Sequence, residues 1–172
     1  MEIPNNEKCI ELLRKSGCSK KVINHCKAVR DVAVRIAKKA NADVSLVEAS
    51  ALLHDIGRSK THGIFHAVEG VKIAKRLGLP EKIIKIIERH IGAGLSKEEA
   101  KKLGLPVKDY IPKTLEEKIV CHADNLIDNS KKQNIEKEIE RALNDDLKEY
   151  AIRLASLHKE LSDICGIDLN DI

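Results

Sequence analysis

Histidine and aspartate are the residues of this sequence whose placement indicates chemistry. His54 and Asp55 are adjacent and follow the apolar run Ala51-Leu52-Leu53, so both side chains are expected in the interior. Three further histidines and one further aspartate occur in segments that also have the pattern of buried helices. They are His25, His66, His90 and Asp124.

A divalent metal ion would explain why such groups collect in an apolar interior. Neutral imidazole and carboxylate are common ligands of transition metals, and the helices of a bundle can project them inward. Without a cation, two inward aspartates would lose their hydration with no compensating partner. We therefore expect one or two divalent ions (Mn, Fe, Ni, Co or Zn), and Gly57 makes it easier for His54 and Asp55 to reach one ion from a helix end.

Three other histidines are weaker candidates. His62 lies in the polar loop after the His54-Asp55 pair and is expected to contact substrate. His122 is two residues before Asp124 and therefore on another helix face. There it would either contact the metal ligands without binding metal or lie on the surface. His158 is interpreted as an ordinary boundary residue.

The cations near these histidines suggest a phosphate-bearing ligand. Arg58 directly follows Gly57, and its guanidinium could hold phosphate oxygens in a bidentate manner. Lys60 and Arg89 are interpreted as solvated surface cations, because the chain contains 31 lysine and arginine residues. Among these, Arg58 is the predicted substrate contact.

The elements that must position these groups are helices. Apolar residues recur at i+3 and i+4 spacing, and Ser19, Ser96 and Thr114 occupy N-cap positions, the last two with a glutamate three residues later. No segment alternates with the period of a strand for long enough to require one, so the sequence predicts a single all-α domain over 1–172. The predicted helices cover 6–16, 20–41, 44–56, 66–77, 81–91, 97–103, 115–129 and 134–165, the last broken near Asn144-Asp145.

Composition excludes several classes of protein. No apolar run approaches the ~20 residues of a membrane span. Aromatic residues make up 2% of the chain and the net charge is +4, too few and too mild for a protein that binds single strands or a nucleic-acid duplex. Five cysteines without a Cys-x-x-Cys pair, and a start that lacks signal-peptide features, favour a cytoplasmic protein with reduced thiols. The apolar period of 134–165 would suit a homo-oligomer as well as a core.

The tetrapeptide His54-Asp55-Ile56-Gly57 resembles the signature of the HD-domain metal-dependent phosphohydrolases. His25 takes the place of the first histidine of that family and Asp124 that of its final aspartate, so the likeness covers about residues 20–130. The resemblance implies a bundle of about five core helices, with 134–165 as additional C-terminal helices. It also implies one metal held by His25, His54, Asp55 and Asp124.

His66 and His90 resemble the additional histidines of binuclear members, which include cyclic-dinucleotide phosphodiesterases and symmetrical dinucleoside tetraphosphatases. In those relatives the residue matching Asp55 would bridge two ions, with His66 and His90 on the second. The chain departs from the phosphodiesterase branch at Ile91, where that branch usually has a second consecutive histidine. Lys21 stands where a carboxylate would hold a third metal. The resemblance therefore implies two metals rather than three, and a substrate other than a cyclic dinucleotide.

The expected function is metal-dependent hydrolysis of a phosphate ester or anhydride in a small molecule, a nucleotide above all. Metal-activated water would attack phosphorus, and Asp55 would orient that water or take its proton. His62, or His66 if it is free of metal, would protonate the leaving oxygen. Two alternatives stay open: a non-catalytic nucleotide or metal sensor that signals through the C-terminal helices, and a di-iron oxygenase. Phosphate release from a panel of phosphoesters would separate the three.

Overall fold

Helices form nearly all the regular structure of residues 2–172, the part of the chain that the computed structural model describes. The predicted all-α class is confirmed. The remaining regular structure consists of a short antiparallel hairpin, β1 (Ile127–Asp128) and β2 (Lys131–Lys132), and of two 3₁₀ turns, Ile56–Ser59 and Leu169–Asp171. The helices are α1 (Asn6–Ser16), α2 (Lys20–Ala40), α3 (Val44–Leu53), α4 (His66–Arg76), α5 (Glu81–Glu88), α6 (Lys97–Lys102), α7 (Leu115–Asn125), α8 (Ile135–Asn144) and α9 (Lys148–Cys165).

The predicted N-caps are confirmed. The Ser19 hydroxyl accepts a hydrogen bond from an amide of the first turn of α2, and Ser96 and Thr114 do the same for α6 and α7. The glutamates three residues later also form ion pairs between helices. Glu99 pairs with Arg153 at 2.7 Å, and Glu117 pairs with Arg89 at 2.9 Å. Glu117 also accepts a hydrogen bond from the Lys113 amide at 2.7 Å, one residue before the N-cap.

Several predicted helices end earlier in the structure. The segment 44–56 leaves α-helical geometry after Leu53 and continues as the 3₁₀ turn, and the segment 81–91 ends at Glu88. The segment 115–129 ends at Asn125, because Asn129 adopts a left-handed φ of 57° that reverses the chain into the hairpin. The long segment 134–165 divides where the sequence suggested, with Asp146 at φ 61° between α8 and α9.

The core is built around α2, which packs against α3, α7 and α9. Its inward side chains include Val29, Ala33 and Ile36, each fully buried. Complete burial of one aliphatic side chain of this size contributes about 1.5–3 kcal/mol. The helices α8 and α9 pack against each other, and α9 also contacts α2 and α7. A smaller apolar cluster around α6 contains Leu95 and Tyr110.

Two further sequence predictions concern thiols and membrane segments. The five cysteines are unpaired in the structure, four of them buried. Burial raises the pKa of the Cys18 thiol to about 11, so it is protonated near neutral pH. Among residues 2–172, no helix combines the length and the apolar character that crossing a bilayer requires.

Gly57 is required by close packing rather than by chain flexibility, which corrects the reason given for it above. A Cβ atom at this position would lie 1.7 Å from the main-chain oxygen of His66 and 2.6 Å from the amide nitrogen of Gly70. Both are backbone atoms of α4, which cannot move without displacing the helix. The absence of a side chain at residue 57 therefore lets the start of α4 rest directly on the turn that follows α3.

We expect Gly57→Ala to lower the free energy of unfolding by about 3 kcal/mol or more, the upper range for overpacking, because rigid backbone must shift. Urea denaturation followed by circular dichroism measures this change. Gly63→Ala is the matched control, since a Cβ there meets only the Thr61 hydroxyl at 3.7 Å. Equal free energies of unfolding for the two variants would show that α4 can shift away from residue 57 without loss of stability.

Candidate metal centre

The six side chains predicted as metal ligands lie together in the structure, at one end of the bundle. Each comes from a different helix or helix end, apart from the adjacent His54-Asp55 pair in the turn after α3. Four of the six residues are buried and the other two are partly exposed. The positions are His25 in α2, His66 at the start of α4, His90 just after α5 and Asp124 near the end of α7.

One half of the centre is formed by His25, His54 and two carboxylate oxygens. His25 Nε2 lies 2.9 Å from Asp124 Oδ1, and His54 Nε2 lies 3.5 Å from the same oxygen. Asp55 Oδ2 is 3.7 Å from His25 Nε2 and 3.6 Å from His54 Nε2. We call these four side chains the first cluster. Two imidazole nitrogens and two carboxylates at such separations match the donor set of a transition-metal ion.

The other half contains His66 and His90. These two residues and Asp55 together are called the second cluster. The two histidine Nε2 atoms are 2.9 Å apart, and Asp55 Oδ1 lies 3.3 Å from each. The short α4–α5 connection places the start of one helix beside the end of the next, as the sequence predicted. Asp55 thus faces the first cluster with Oδ2 and the second with Oδ1, the arrangement of a carboxylate that can bridge two ions.

The four histidine rings are oriented by main-chain carbonyl groups. Nδ1 of His54, His66 and His90 each lies 2.6–2.8 Å from the carbonyl oxygen three residues earlier. His25 Nδ1 lies 2.6 Å from the carbonyl oxygen of Asn129 in the hairpin turn. A proton on Nδ1 satisfies each of these contacts, which leaves the Nε2 lone pair free to bind a metal. Such backbone support of the non-ligating nitrogen is typical of metal-binding histidines.

The electrostatics of the centre favour positive charge between its carboxylates. Burial raises the pKa of Asp55, but His54, His66 and His90 outweigh it and hold that pKa well below its usual range. The pKa of Asp124 is likewise lowered, because His54 and His25 outweigh its burial. Burial lowers the pKa of His54, yet Asp55 and Asp124 raise it above the usual value. A cation at His54 Nε2 is therefore stabilised, as a proton on that nitrogen or as an ion beside it.

Two unpaired polar atoms of the centre lie where a metal would bind. His54 Nε2 and Asp55 Oδ1 are buried and have no hydrogen-bond partner within residues 2–172. A buried unpaired polar atom costs about 1–3 kcal/mol, so native structures rarely keep one without a partner. One of these atoms faces each cluster. A metal ion in each cluster would supply the missing partner.

A cavity of about 300 Å³ opens beside the first cluster. Its lining includes His25 and Asp55, and it also contains the predicted substrate contacts Arg58 and His62. The Arg58 Nε donates a hydrogen bond to Asp55 Oδ2 at 2.8 Å, and its Nη1 donates to the main-chain oxygen of His62 at 3.0 Å. Arg58 therefore supports the Asp55 carboxylate and the following loop from its place in the cavity wall.

The structure gives His122 and His158 more specific places than the sequence suggested. His122 is fully buried, and its Nε2 lies 2.8 Å from His158 Nδ1. His158 Nε2 in turn lies 2.8 Å from Asp168 Oδ1. The pKa of His122 is lowered to about 3, because burial, His158 and Lys132 all disfavour its charged form. The two rings form a hydrogen-bonded link between α7 and α9 outside the six predicted ligands.

Arg89 is not a solvated surface cation, which corrects the interpretation made from sequence. Its Nη1 donates to both carboxylate oxygens of Glu117, at 3.0 and 2.9 Å, and its side chain is 13% exposed. Lys60 is exposed, as expected.

Sequence reasoning missed the hairpin turn that carries Asn129. That residue orients His25 through its main-chain oxygen, and it also lines the cavity. A contact made by a main-chain oxygen does not depend on the type of residue, so sequence could not reveal it. The available signal was the pair Asp128-Asn129, because aspartate and asparagine favour turns. Ser19, Lys21 and Val22, at the start of α2, complete the cavity wall.

Comparison with known proteins assigns the chain to a family. The family model of the HD domain matches residues 22–128. A tRNA (cytidine(56)-2'-O)-methyltransferase of Thermoplasma volcanium is 48% identical over 170 residues, which is 99% of this chain but 50% of that protein. The chain therefore spans about half the length of that relative. An uncharacterised protein of Methanocaldococcus jannaschii is 49% identical over 96% of this chain and 94% of its own length.

Among solved structures, the HD domain of the L. monocytogenes phosphodiesterase PgpH resembles this chain. It has a TM-score of 0.56 and 21% identity, and the match covers 94% of this chain and 99% of that one. The same domain in complex with cyclic-di-AMP gives a TM-score of 0.55. At this identity the likeness shows a shared helical fold. Together with the matching family model, it supports one conclusion: the chain belongs to the HD-domain family.

Proposed function

We propose that this protein is a metal-dependent phosphohydrolase that cleaves a phosphate ester or anhydride of a nucleotide. The observation that carries the proposal is the position of Asp55, whose two oxygens face two separate clusters of histidine Nε2 atoms. His25, His54, Asp55 and Asp124 would hold one divalent ion, and Asp55, His66 and His90 a second. Such ions lower the pKa of water toward neutrality and neutralise charge on phosphate oxygens.

The residues around the centre have separate tasks in this reaction. Hydrolysis forms an O–P bond from water and breaks the P–O bond to the leaving group, which takes up a proton. Asp55 would fix the ligand geometry and accept a hydrogen bond from the attacking water. Arg58 holds Asp55 in place and lies where its remaining N–H groups would meet phosphate oxygens. His62 lines the same cavity and is the proposed proton donor to the leaving oxygen, because His66 belongs to the second cluster.

The name of the Thermoplasma volcanium relative raises methyl transfer as a competing activity. That protein is about twice as long as this chain, so its methyltransferase activity could belong to the half that this chain does not match. The Methanocaldococcus jannaschii relative matches this chain over nearly its whole length, so the module also occurs without that half. The residues gathered here offer the donor set of a metal site, and Arg58 lies beside them where it would meet a phosphate, which favours hydrolysis for this part.

The test is a hydrolysis panel with a methyl-transfer assay beside it. Protein loaded separately with Mn²⁺, Co²⁺, Ni²⁺, Fe²⁺ and Zn²⁺ is incubated with nucleoside monophosphates, diphosphates and dinucleotides, and products are resolved by chromatography. Metal-dependent product formation that is abolished by EDTA is the expected result. No product from any substrate, with ligand-induced thermal stabilisation alone, would favour the sensor. Oxygen consumption by the ferrous form would favour the oxygenase, and methylation of tRNA would favour methyl transfer.

Arg58→Ala is expected to lower kcat/KM by about 10- to 100-fold, because the variant loses a charge-assisted hydrogen bond to phosphate and the support of Asp55. Arg58→Lys should recover part of this loss, since a lysine keeps the charge but not the planar geometry. Steady-state kinetics on the best substrate of the panel measures both. Unchanged kinetics in Arg58→Ala would return this arginine to a purely structural role.

A further inference from the structure

The cavity beside the first cluster extends beyond the residues that one phosphate group would contact. Lys21 lines it from the start of α2, and Arg58 and His62 line it from the segment that follows α3. Asn129, in the hairpin turn, also lines it. At about 300 Å³ it is at the lower limit of small-molecule sites. There is room for more of the ligand than the phosphate group that reacts.

The charge of this cavity is asymmetric. Asp55 is its one lining carboxylate within residues 2–172, and that carboxylate is already bound to Arg58 at 2.8 Å. The other acid of the first cluster, Asp124, pairs with His25. Neither acid pairs with Lys21, which is an exposed residue of the cavity lining. An anion in the cavity would therefore meet a cation that the protein does not neutralise.

From this placement we propose that Lys21 forms an anionic subsite for a second phosphate group of the substrate, next to the phosphate that is cleaved. The inference rests on the proposed function, because it takes the position of the reacting phosphate from the metal centre. It assigns the substrate to nucleotides with at least two phosphates. The second phosphate comes either from a polyphosphate chain or from the neighbouring linkage of an oligonucleotide.

Binding measurements test the subsite without relying on turnover. Isothermal titration of the metal-loaded protein would use three probes: AMP, adenosine 5′-(α,β-methylene)diphosphate, and a 5′-phosphorylated diadenosine dinucleotide with a phosphorothioate linkage. The expected result is that one of the two-phosphate probes binds about tenfold more tightly than AMP, the gain typical of one exposed charge-assisted contact. Whichever probe shows the gain identifies the source of the second phosphate.

Variants at the start of α2 assign the gain to Lys21. Lys21→Ala should remove the tenfold advantage and leave AMP binding unchanged, whereas Lys21→Arg should keep it. Lys20→Ala is the matched control, because Lys20 is exposed on the same helical turn but does not line the cavity. Equal affinity of all probes, or a loss in Lys21→Ala that is the same for AMP, would overturn the subsite.

The outcomes separate this inference from the proposed function. Hydrolysis in the panel together with Lys21-independent binding would overturn the subsite alone. Lys21-dependent binding of a two-phosphate probe without hydrolysis of any substrate would support the subsite and overturn the hydrolase proposal. Failure of every probe to bind would overturn the subsite.

Discussion

Asp55→Ala is expected to abolish hydrolysis and to remove the bound metal. Its carboxylate faces both clusters, with Oδ2 3.6 Å from His54 Nε2 and Oδ1 3.3 Å from His90 Nε2. Loss of a residue that only supports a metal ligand costs about 10–100-fold, so loss of a bridging ligand should exceed that range. Inductively coupled plasma mass spectrometry measures the metal, and the substrate panel measures the activity.

The control for this variant must keep the fold and lose a carboxylate elsewhere. Asp31→Ala is suitable, because Asp31 lies on the exposed side of α2 and pairs with Arg30. Both variants should show the far-UV circular dichroism spectrum of the wild type, while Asp31→Ala keeps full metal content and activity. A metal-replete, active Asp55→Ala protein would place the chemistry outside this centre.

The second large effect is expected in metal stoichiometry. Wild-type protein titrated with Mn²⁺ in the presence of phosphate should bind two ions per chain, the second more weakly. Ile91 offers the second cluster no additional ligand, so that ion takes oxygens of phosphate or water to complete its shell. His66→Ala and His90→Ala should each reduce the stoichiometry to about one, because their Nε2 atoms lie 3.3 Å from Asp55 Oδ1. Only His66→Ala is expected to leave the tighter site unchanged, because a ligand atom of His90 also lies within 4.8 Å of ligand atoms of His54 and Asp124.

His25→Ala provides the reciprocal measurement. Its Nε2 belongs to the first cluster, at 2.9 Å from Asp124 Oδ1, so this variant should weaken the tighter site instead. Isothermal titration calorimetry resolves the two classes of site. One ion per chain under every condition, including saturating phosphate, would assign His66 and His90 to contacts with substrate.

The sequence predicted the helices well where a local signal marks their start. Ser19, Ser96 and Thr114 act as N-caps because a hydroxyl at that position satisfies an amide of the first turn, whatever the rest of the fold does. Helix ends were harder to predict. The segment 115–129 stops at Asn125, because the following residues pair as a hairpin, a choice that depends on contacts with α2 and α7.

The site residues were identified from their type and order, but their roles relative to one another were not. His66 and His90 could be placed at the same end of a helical hairpin, since the α4–α5 connection is short. Nothing in the sequence indicates that Arg89 would pair with Glu117 instead of meeting solvent. That pair depends on the packing of α5 against α7, which residue spacing within one helix does not encode. The same reason explains why the link between His122 and His158 was not foreseen.

The four main-chain carbonyl groups that orient the histidine rings differ in their sequence separation from those histidines. Three of these contacts span three residues, so those rings acquire their orientation as soon as their own turns form. The fourth joins His25 to a carbonyl 104 residues away. Ordering of the His25 ring is consequently coupled to docking of the hairpin. An ion at 100 times its Kd would then add about 2.7 kcal/mol to the free energy of hairpin opening, and would slow hydrogen exchange at the Gln133 amide, which bonds across its base to Leu126.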